Sequence, residues 1–221
     1  MTGAVGIVLA GGRSSRLGAV PLPPGGKAAI AFDGTSLLAR VVEAVAGAVD
    51  RVLVVAAPGQ PLPPLDPEVD IVRDAAPGTG PLAAIRDGLV AAARRTPLPR
   101  VAFVTSCDVP LLRRDVVRLL VARGLDTGAL WVVPDWEGHP QVLLSVVALD
   151  LLPAIDAHLA TGRRDPRGLL HRLEATAPER IVRVSEAELA AVDAGGDSVR
   201  DVDTPADLER LRGRGIPPSA P

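Results

Sequence analysis

Near the N-terminus the chain reads Val5-Gly6-Ile7-Val8-Leu9-Ala10-Gly11-Gly12-Arg13-Ser14-Ser15-Arg16-Leu17-Gly18. A short apolar run that ends in glycines reads as a buried strand. The glycine-rich segment after it tolerates close approach and positive φ, so its N–H groups can converge on an anion. Lys27, the one lysine among 24 Lys+Arg, follows downstream. Lysine offers a compact point charge on a flexible stem, the kind of cation that phosphate oxygens take beside backbone amides. The plainer reading of the same stretch, less favoured, is a glycine turn with solvated arginines.

Outward from this segment, short apolar runs alternate with amphipathic ones, the pattern of a mostly parallel α/β sheet. The pattern predicts strands over 5–9, 51–56, 69–72, 101–105, 129–133, 141–146 and 181–184. It predicts helices over 36–46, 81–93, 114–122, 149–159, 167–173 and 186–192. Thr204 and Pro205 suit the N-cap and first position of a last helix. Residues 1–212 read as one domain and 213–221 as a disordered tail.

Composition narrows the function. The chain has 221 residues, 48% hydrophobic and 23% charged, as a globular domain does. Aromatic residues make up 2% and the net charge is −2, which argues against a nucleic-acid surface. The lone Cys107 excludes an intrachain disulfide and a cysteine zinc cluster. No apolar run reaches membrane-span length, and no basic leader precedes the first strand, so a cytoplasmic protein without a membrane partner is expected.

In open parallel sheets, ligands bind beyond the carboxyl ends of the strands. The polar and glycine-rich residues collect there, over 10–18, 73–81 and 106–110. The first loop is not a Walker A motif, because Ala28 follows Gly26-Lys27 where Ser or Thr is needed, nor does it match the dinucleotide fingerprint. Gly78-Thr79-Gly80-Pro81-Leu82-Ala83 fits G-x-G-x-x-A formally. A plainer reading is a glycine turn with Pro81 opening a helix, whose N-terminus can still face a polar ligand. Asp74 suits a turn or a pocket. Asp108 lies just past a buried strand, where a carboxylate can share Mg²⁺ with phosphate oxygens, or can simply make a turn before Pro110. Asp201 and Asp203 face the same way in an extended segment, unless one caps the helix near Thr204. Cys107 reads as a buried small side chain, since no base stands near it in sequence. His139, in Gly138-His139-Pro140-Gln141, reads as a turn residue, with substrate contact as the alternative. His158 and His171 fall on predicted helices and are expected at the surface.

Taken together, the chain resembles the nucleotidyltransferases of the molybdenum cofactor guanylyltransferase family. Four pieces in order carry the resemblance: Leu9 to Gly18 followed by Lys27, Gly80-Pro81-Leu82-Ala83, Cys107-Asp108-Val109-Pro110, and Asp201-Val202-Asp203-Thr204-Pro205-Ala206-Asp207-Leu208. The resemblance implies a Rossmann-like, three-layer nucleotidyltransferase fold and transfer of GMP from GTP to a pterin-type molybdenum cofactor. It implies that Leu9, Ala10, Gly11 and Gly12 read the guanine, that Arg16 and Lys27 hold phosphates, and that Asp74, Gly80 and Pro81 line the nucleotide pocket. It implies Mg²⁺ on Asp108, with Asp203 as a second carboxylate. The run Ala19-Val20-Pro21-Leu22-Pro23-Pro24-Gly25-Gly26 sets Lys27 further from Gly18 than is usual in that family. The Asp201 to Pro205 piece also occurs in cytidylyltransferases, so a cytidylyltransferase, a transferase for another small phosphate and a silent nucleotide-binding protein remain alternatives. Residues 138–141 and 163–167 are candidate acceptor contacts by position and charge.

Overall fold

A computed structural model describes residues 2–11, 22–75 and 78–212. The first strand, β1 (Ala4–Leu9), runs through the middle of the sheet. A short hairpin, β2 (Ala31–Phe32) and β3 (Thr35–Ser36), leads into α1 (Leu37–Ala46), where the Ser36 side chain caps the helix by accepting from the Ala39 N–H. Then come β4 (Arg51–Ala56), β5 (Asp70–Arg73), α2 (Pro81–Ala92), β6 (Val101–Ser106) and α3 (Arg114–Thr127). The second half holds β7 (Trp131–Trp136), β8 (His139–Pro140), β9 (Leu144–Ala148), α4 (Leu152–Ala160), α5 (Pro166–Thr176), β10 (Ile181–Val184), α6 (Glu186–Ala190) and α7 (Pro205–Arg212).

Among the described residues the strands form a mostly parallel sheet in the order β10-β7-β9-β6-β1-β4-β5, with β8 paired to β7. β1 is parallel to β4 on one side and to β6 on the other. β9 is antiparallel to both β6 and β7. The chain leaves β1 toward β4 and β5, then returns to β6 on the opposite side. The carboxyl ends of β1 and β6 therefore flank a topological switch point, where such sheets bind ligands.

Strand side chains alternate between faces, and each face is covered by helices. Val8, Val54, Phe103 and Val146 pack with Leu38, Val41 and Val45 of α1 and with Val117 and Leu120 of α3. Ile7, Leu53, Val55 and Val104 pack with Leu82, Ile85 and Leu89 of α2, with Ile155 of α4 and with Leu169 of α5. The result is the expected three-layer α/β sandwich. The buried Ser145 hydroxyl accepts from the Trp131 indole and donates to the Val142 carbonyl, so this polar pair inside the core is satisfied. A third apolar cluster of Phe32, Leu37, Leu111, Val202 and Leu211 lies under the β2–β3 hairpin, the loop after β6 and α7. No helix among the described residues is long and apolar enough to cross a membrane.

Some expectations shift. The helix predicted to end at Ala122 continues to Thr127, because Gly124 is not a stop. It lets α3 lie against the sheet, where an added Cβ would come within 2.7 Å of a Val146 methyl. The strand predicted over 141–146 forms over 144–148, since Gln141 to Leu143 are taken up in a turn closed by the Leu144 N–H to Gln141 carbonyl bond. His158, expected at the surface, is fully buried. Leu151, Ile155 and His158 recur at helical spacing, so position on the inward face decides burial rather than residue type. His171 is exposed as expected. The tail over 213–221 lies outside the described residues.

Gly6 is the point of closest approach between α1 and the sheet: a Cβ there would lie 2.3 Å from a Val45 methyl. Gly6→Val should overpack this contact and lower unfolding stability by about 1–3 kcal/mol, read from urea denaturation. A variant as stable as the parent would contradict this packing.

Candidate active site

Three stretches of chain meet beyond the carboxyl ends of β1 and β6. Lys27 sits in a single 3-10 turn, Gly26–Ala29, with Gly25 at its N-cap. Asp108 lies two residues past β6, in a loop tied to β1 by the Cys107 N–H to Leu9 carbonyl bond at 3.0 Å. Asp203 comes from the segment before α7. Its neighbour Val202 donates its N–H to the Asp108 carbonyl at 2.8 Å and is itself fully buried. The outcome is one compact cluster: the Lys27 ammonium donates to Asp108 Oδ2 at 2.7 Å and to Asp203 Oδ1 at 2.9 Å. The Ser106 hydroxyl holds the other Asp108 oxygen.

The C-terminal segment reaches this position through polar anchors with no obvious sequence signal. The buried Asp193 carboxylate accepts from the N–H groups of Asp197 and Ser198. The Ser198 hydroxyl then accepts from the Arg113 N–H at 3.0 Å, joining the segment to the start of α3. Thr204 caps α7 as expected, through its hydroxyl and the Asp207 N–H at 3.2 Å. Asp207 returns the bond, accepting from the Thr204 N–H at 2.7 Å and from the Thr204 hydroxyl at 2.8 Å. The cap thus belongs to Thr204 and Asp207, and Asp203 turns to Lys27 instead.

Electrostatics follow from this packing. Burial works against the Lys27 ammonium, yet Asp108 and Asp203 outweigh it and hold the Lys27 pKa above its ordinary value. Burial, with the neighbouring Asp203 and Asp108 charges, pushes the Asp201 carboxyl upward. Burial drives the Cys107 thiol up to about 12, which keeps it protonated and fits a buried side chain rather than a nucleophile.

The remaining candidate residues lie at the ends of β1 and β5, at the start of α2 and in the second half of the chain. Leu9 and Ala10 are buried at the end of β1, where the Ala10 N–H donates to the Val55 carbonyl at 2.8 Å. Gly11 lies beside β4's end, with a Cβ position 3.6 Å from the Ala57 nitrogen. Gly12 and Arg16 lie outside the described residues. Asp74 follows β5, its N–H on the Ala56 carbonyl at 2.9 Å, and the next N–H, of Ala75, is held by Asp87 of α2. Gly80, at φ +98°, caps α2 ahead of Pro81. A Cβ on Gly80 would sit 3.3 Å from the Arg164 carbonyl oxygen, so the 163–167 segment abuts this turn. Residues 138–141 lie elsewhere. His139 and Gln141 line a cavity of about 230 Å³ with Trp136, Arg200, Asp201 and Arg210, next to the carboxylate cluster. A cavity of about 720 Å³ lies at the opposite end of the strands, between α1 and the segments entering β4 and β5. Its lining carries four carboxylates, Glu43, Asp50, Asp66 and Glu68, against two arginines, Arg51 and Arg114, an excess of negative charge that disfavours an anionic substrate. Beyond the candidates read from sequence, the structure adds Ser106, Asp193, Ser198 and, at the mouth of the first loop, Gln60.

Comparison with known proteins assigns the family. The model of the MobA-like NTP transferase domain matches residues 6–177, and the chain belongs to that family. A probable molybdenum cofactor guanylyltransferase of Mycobacterium ulcerans is 37% identical over 195 residues, covering 87% of this chain and 90% of the relative. The fold also matches the crystal structure of molybdopterin-guanine dinucleotide biosynthesis protein A from Archaeoglobus fulgidus. That match has a TM-score of 0.74 and 21% identity, over 95% of this chain and 97% of the other. A Mycobacterium tuberculosis protein solved in complex with manganese has the same fold, with a TM-score of 0.61 and 18% identity over 96% and 99% of the two chains.

The Thr204 hydroxyl, with the N–H groups of Thr204 and Asp203, holds the Asp207 carboxyl below the ordinary carboxylate range. A lowered folded pKa contributes stability that is complete above the unfolded pKa and is lost as pH falls through the folded one. Asp207→Asn should therefore cost about 1 kcal/mol at pH 7. The deficit should vanish in acid, and urea denaturation across pH measures the convergence.

Proposed function

We propose that this nucleotidyltransferase moves GMP from GTP onto the terminal phosphate of a pterin-type molybdenum cofactor, releasing pyrophosphate. The observation that carries the reading is Lys27 held between Asp108 and Asp203 at 2.7 and 2.9 Å, at the switch point of the sheet. An acceptor phosphate oxygen attacks the α-phosphorus of GTP. The bond from that phosphorus to the bridging oxygen breaks, and pyrophosphate leaves with the electron pair. The attacking oxygen is already anionic at neutral pH, so no protein base is required. Phosphoryl-type transfer of this kind asks for positioning and charge neutralisation rather than a covalent enzyme intermediate.

The chain's residues fit a hard divalent cation. Carboxylate oxygens of Asp108 and Asp203 already converge on a single cation, the Lys27 ammonium. Among the described residues no three His, Cys, Asp or Glu side chains gather to hold a metal, so the chain offers a pair of carboxylates and the substrate completes the shell. Mg²⁺ prefers such sites, with one or two carboxylates plus phosphate oxygens. When bound by this pair, Mg²⁺ would neutralise charge on the α-phosphate. Lys27, with its stem anchored in the turn, supplies positive charge toward the departing pyrophosphate. Arg16 joins it in this role on motif grounds. On the same motif grounds the backbone from Leu9 to Gly12 reads the base, and Asp74 with Gly80 and Pro81 lines the nucleotide pocket. The cavity lined by Trp136, His139 and Gln141 opens beside Asp201, on the side from which the acceptor would approach. Reducing cytoplasm, where the unpaired Cys107 stays reduced, is the compartment that suits this chemistry.

Purified protein with molybdenum-loaded pterin should release pyrophosphate faster with GTP than with CTP, ATP or UTP. Lys27→Ala and Asp108→Ala should each lower kcat by about a hundredfold or more. Preference for CTP would favour the cytidylyltransferase alternative. Nucleotide binding without turnover would favour a silent binding protein, and full kcat in Lys27→Ala would sink the proposed role of the lysine.

A further inference from the structure

Gln60 opens the proline-rich loop after β4, and its side chain reaches across to two distant pieces of backbone. Its Oε1 accepts from the Ala57 N–H at 3.0 Å. Its Nε2 donates to the Ala10 carbonyl at 3.1 Å and to the Gly25 carbonyl at 3.0 Å. A carboxamide has two N–H donors, and both are used here. The network also fixes the amide's orientation: reversed, it would set its oxygen against two carbonyls and its NH₂ against an N–H. With its donors committed, Gln60 is not free to read a base. It acts on the backbone.

The two carbonyls it holds matter because of where they lie. Ala10 is the residue at which β1 gives way to the glycine loop, and Gly25 is the N-cap of the turn that carries Lys27. Gln60 is itself braced. Arg73, at the end of β5, donates one guanidinium nitrogen to the carbonyls of Ala57 and Gln60, each at 3.0 Å. Gly25 backs directly onto the same loop, where a Cβ would lie 2.8 Å from the Pro61 carbonyl oxygen. A chain of contacts thus runs from the β5 edge through Gln60 to the start of the lysine turn.

We propose that Gln60 is a positioning residue of the nucleotide site. It sets the separation between the end of β1 and the Lys27 turn, and so sets where the ammonium stands relative to the phosphates. The inference rests on the reading that both ends of the loop serve one bound nucleotide. A cation that meets the phosphates in the bound complex as well as in the transition state loses affinity when it is displaced, so the loss reads in KM. A brace that only stabilised the fold would change the folded fraction and leave the affinity of the folded protein untouched.

KM for the nucleotide makes that distinction, because it does not depend on how much of the sample is active. Pyrophosphate release is measured on the full chain with whichever of GTP, CTP, ATP and UTP the parent uses best, alongside thermal unfolding. Gln60→Glu keeps the size of the side chain but replaces both donors with acceptors facing carbonyls, and should raise KM about tenfold or more at temperatures where the variant is fully folded. Gln60→Asn keeps the amide on a shorter stem and should raise KM in the same direction by a smaller factor, which preserves the test if the glutamate variant fails to fold. Arg73→Met, which frees the loop behind Gln60, should follow the same trend. Unchanged KM in folded Gln60 variants would overturn the proposal while the parent's turnover stands. A KM effect with a nucleotide other than GTP would support Gln60 and overturn the guanylyl reading. A parent that uses none of the four would overturn both.

Discussion

An ammonium held between two carboxylates joins stretches of chain that lie far apart in sequence. Lys27 is 81 residues from Asp108 and 176 from Asp203, yet its Nζ lies within hydrogen-bond distance of both. Placed together without a cation, the two carboxylates would repel in a partly dry cleft, where charges interact more strongly than in water. The lysine answers that repulsion, and its own proton is held more tightly in return. Two carboxylates that converge on one point suit a site that receives a divalent ion together with a polyphosphate.

Neutral packing makes the arrangement possible. Val202 is buried with Phe32, Leu37, Leu111 and Leu211, so the segment that carries Asp203 is fixed by apolar contact before its charge is considered. Arg40 reinforces this floor: its guanidinium lies over the Phe32 ring, 4.9 Å from the centroid. The hydrogen bond from Val202 to the Asp108 backbone then sets the spacing of the two acids. The charged cluster therefore stands on a hydrophobic base built from the β2–β3 hairpin, the loop after β6 and α7, with Gln60 bracing the remaining side.

The parallel core was legible in sequence because its strands are short, continuous apolar runs with polar loops at their carboxyl ends, as in β1, β4 and β6. The β2–β3 hairpin and β8 were not, since strands of two residues leave no periodic signal. The position of β9 between β6 and β7, antiparallel to both, depends on long-range pairing that local pattern does not encode. The run from Val142 to Val147 is apolar apart from Ser145, so hydrophobic pattern does not mark where the strand begins, and its start follows the turn at Gln141. In the site, Lys27 and Asp108 stood out through rarity and through location after a buried strand. That Asp203 joins Asp108 was implied by family likeness rather than by pattern, whereas the placing of Lys27 between the two acids comes from the structure. Ser106, Asp193, Ser198 and Gln60 act by holding backbone groups, a role that any polar residue type can fill, and so carried no signature.

Binding of a divalent cation by the paired carboxylates is open to test by anomalous diffraction. Crystals grown with Mn²⁺ and a non-hydrolysable GTP analogue should show a metal peak within about 2.5 Å of oxygens from both Asp108 and Asp203, with Lys27 Nζ turned onto a phosphate oxygen. A nucleotide bound away from these residues, with Lys27 still clamped between the two acids and no metal at the pair, would contradict it.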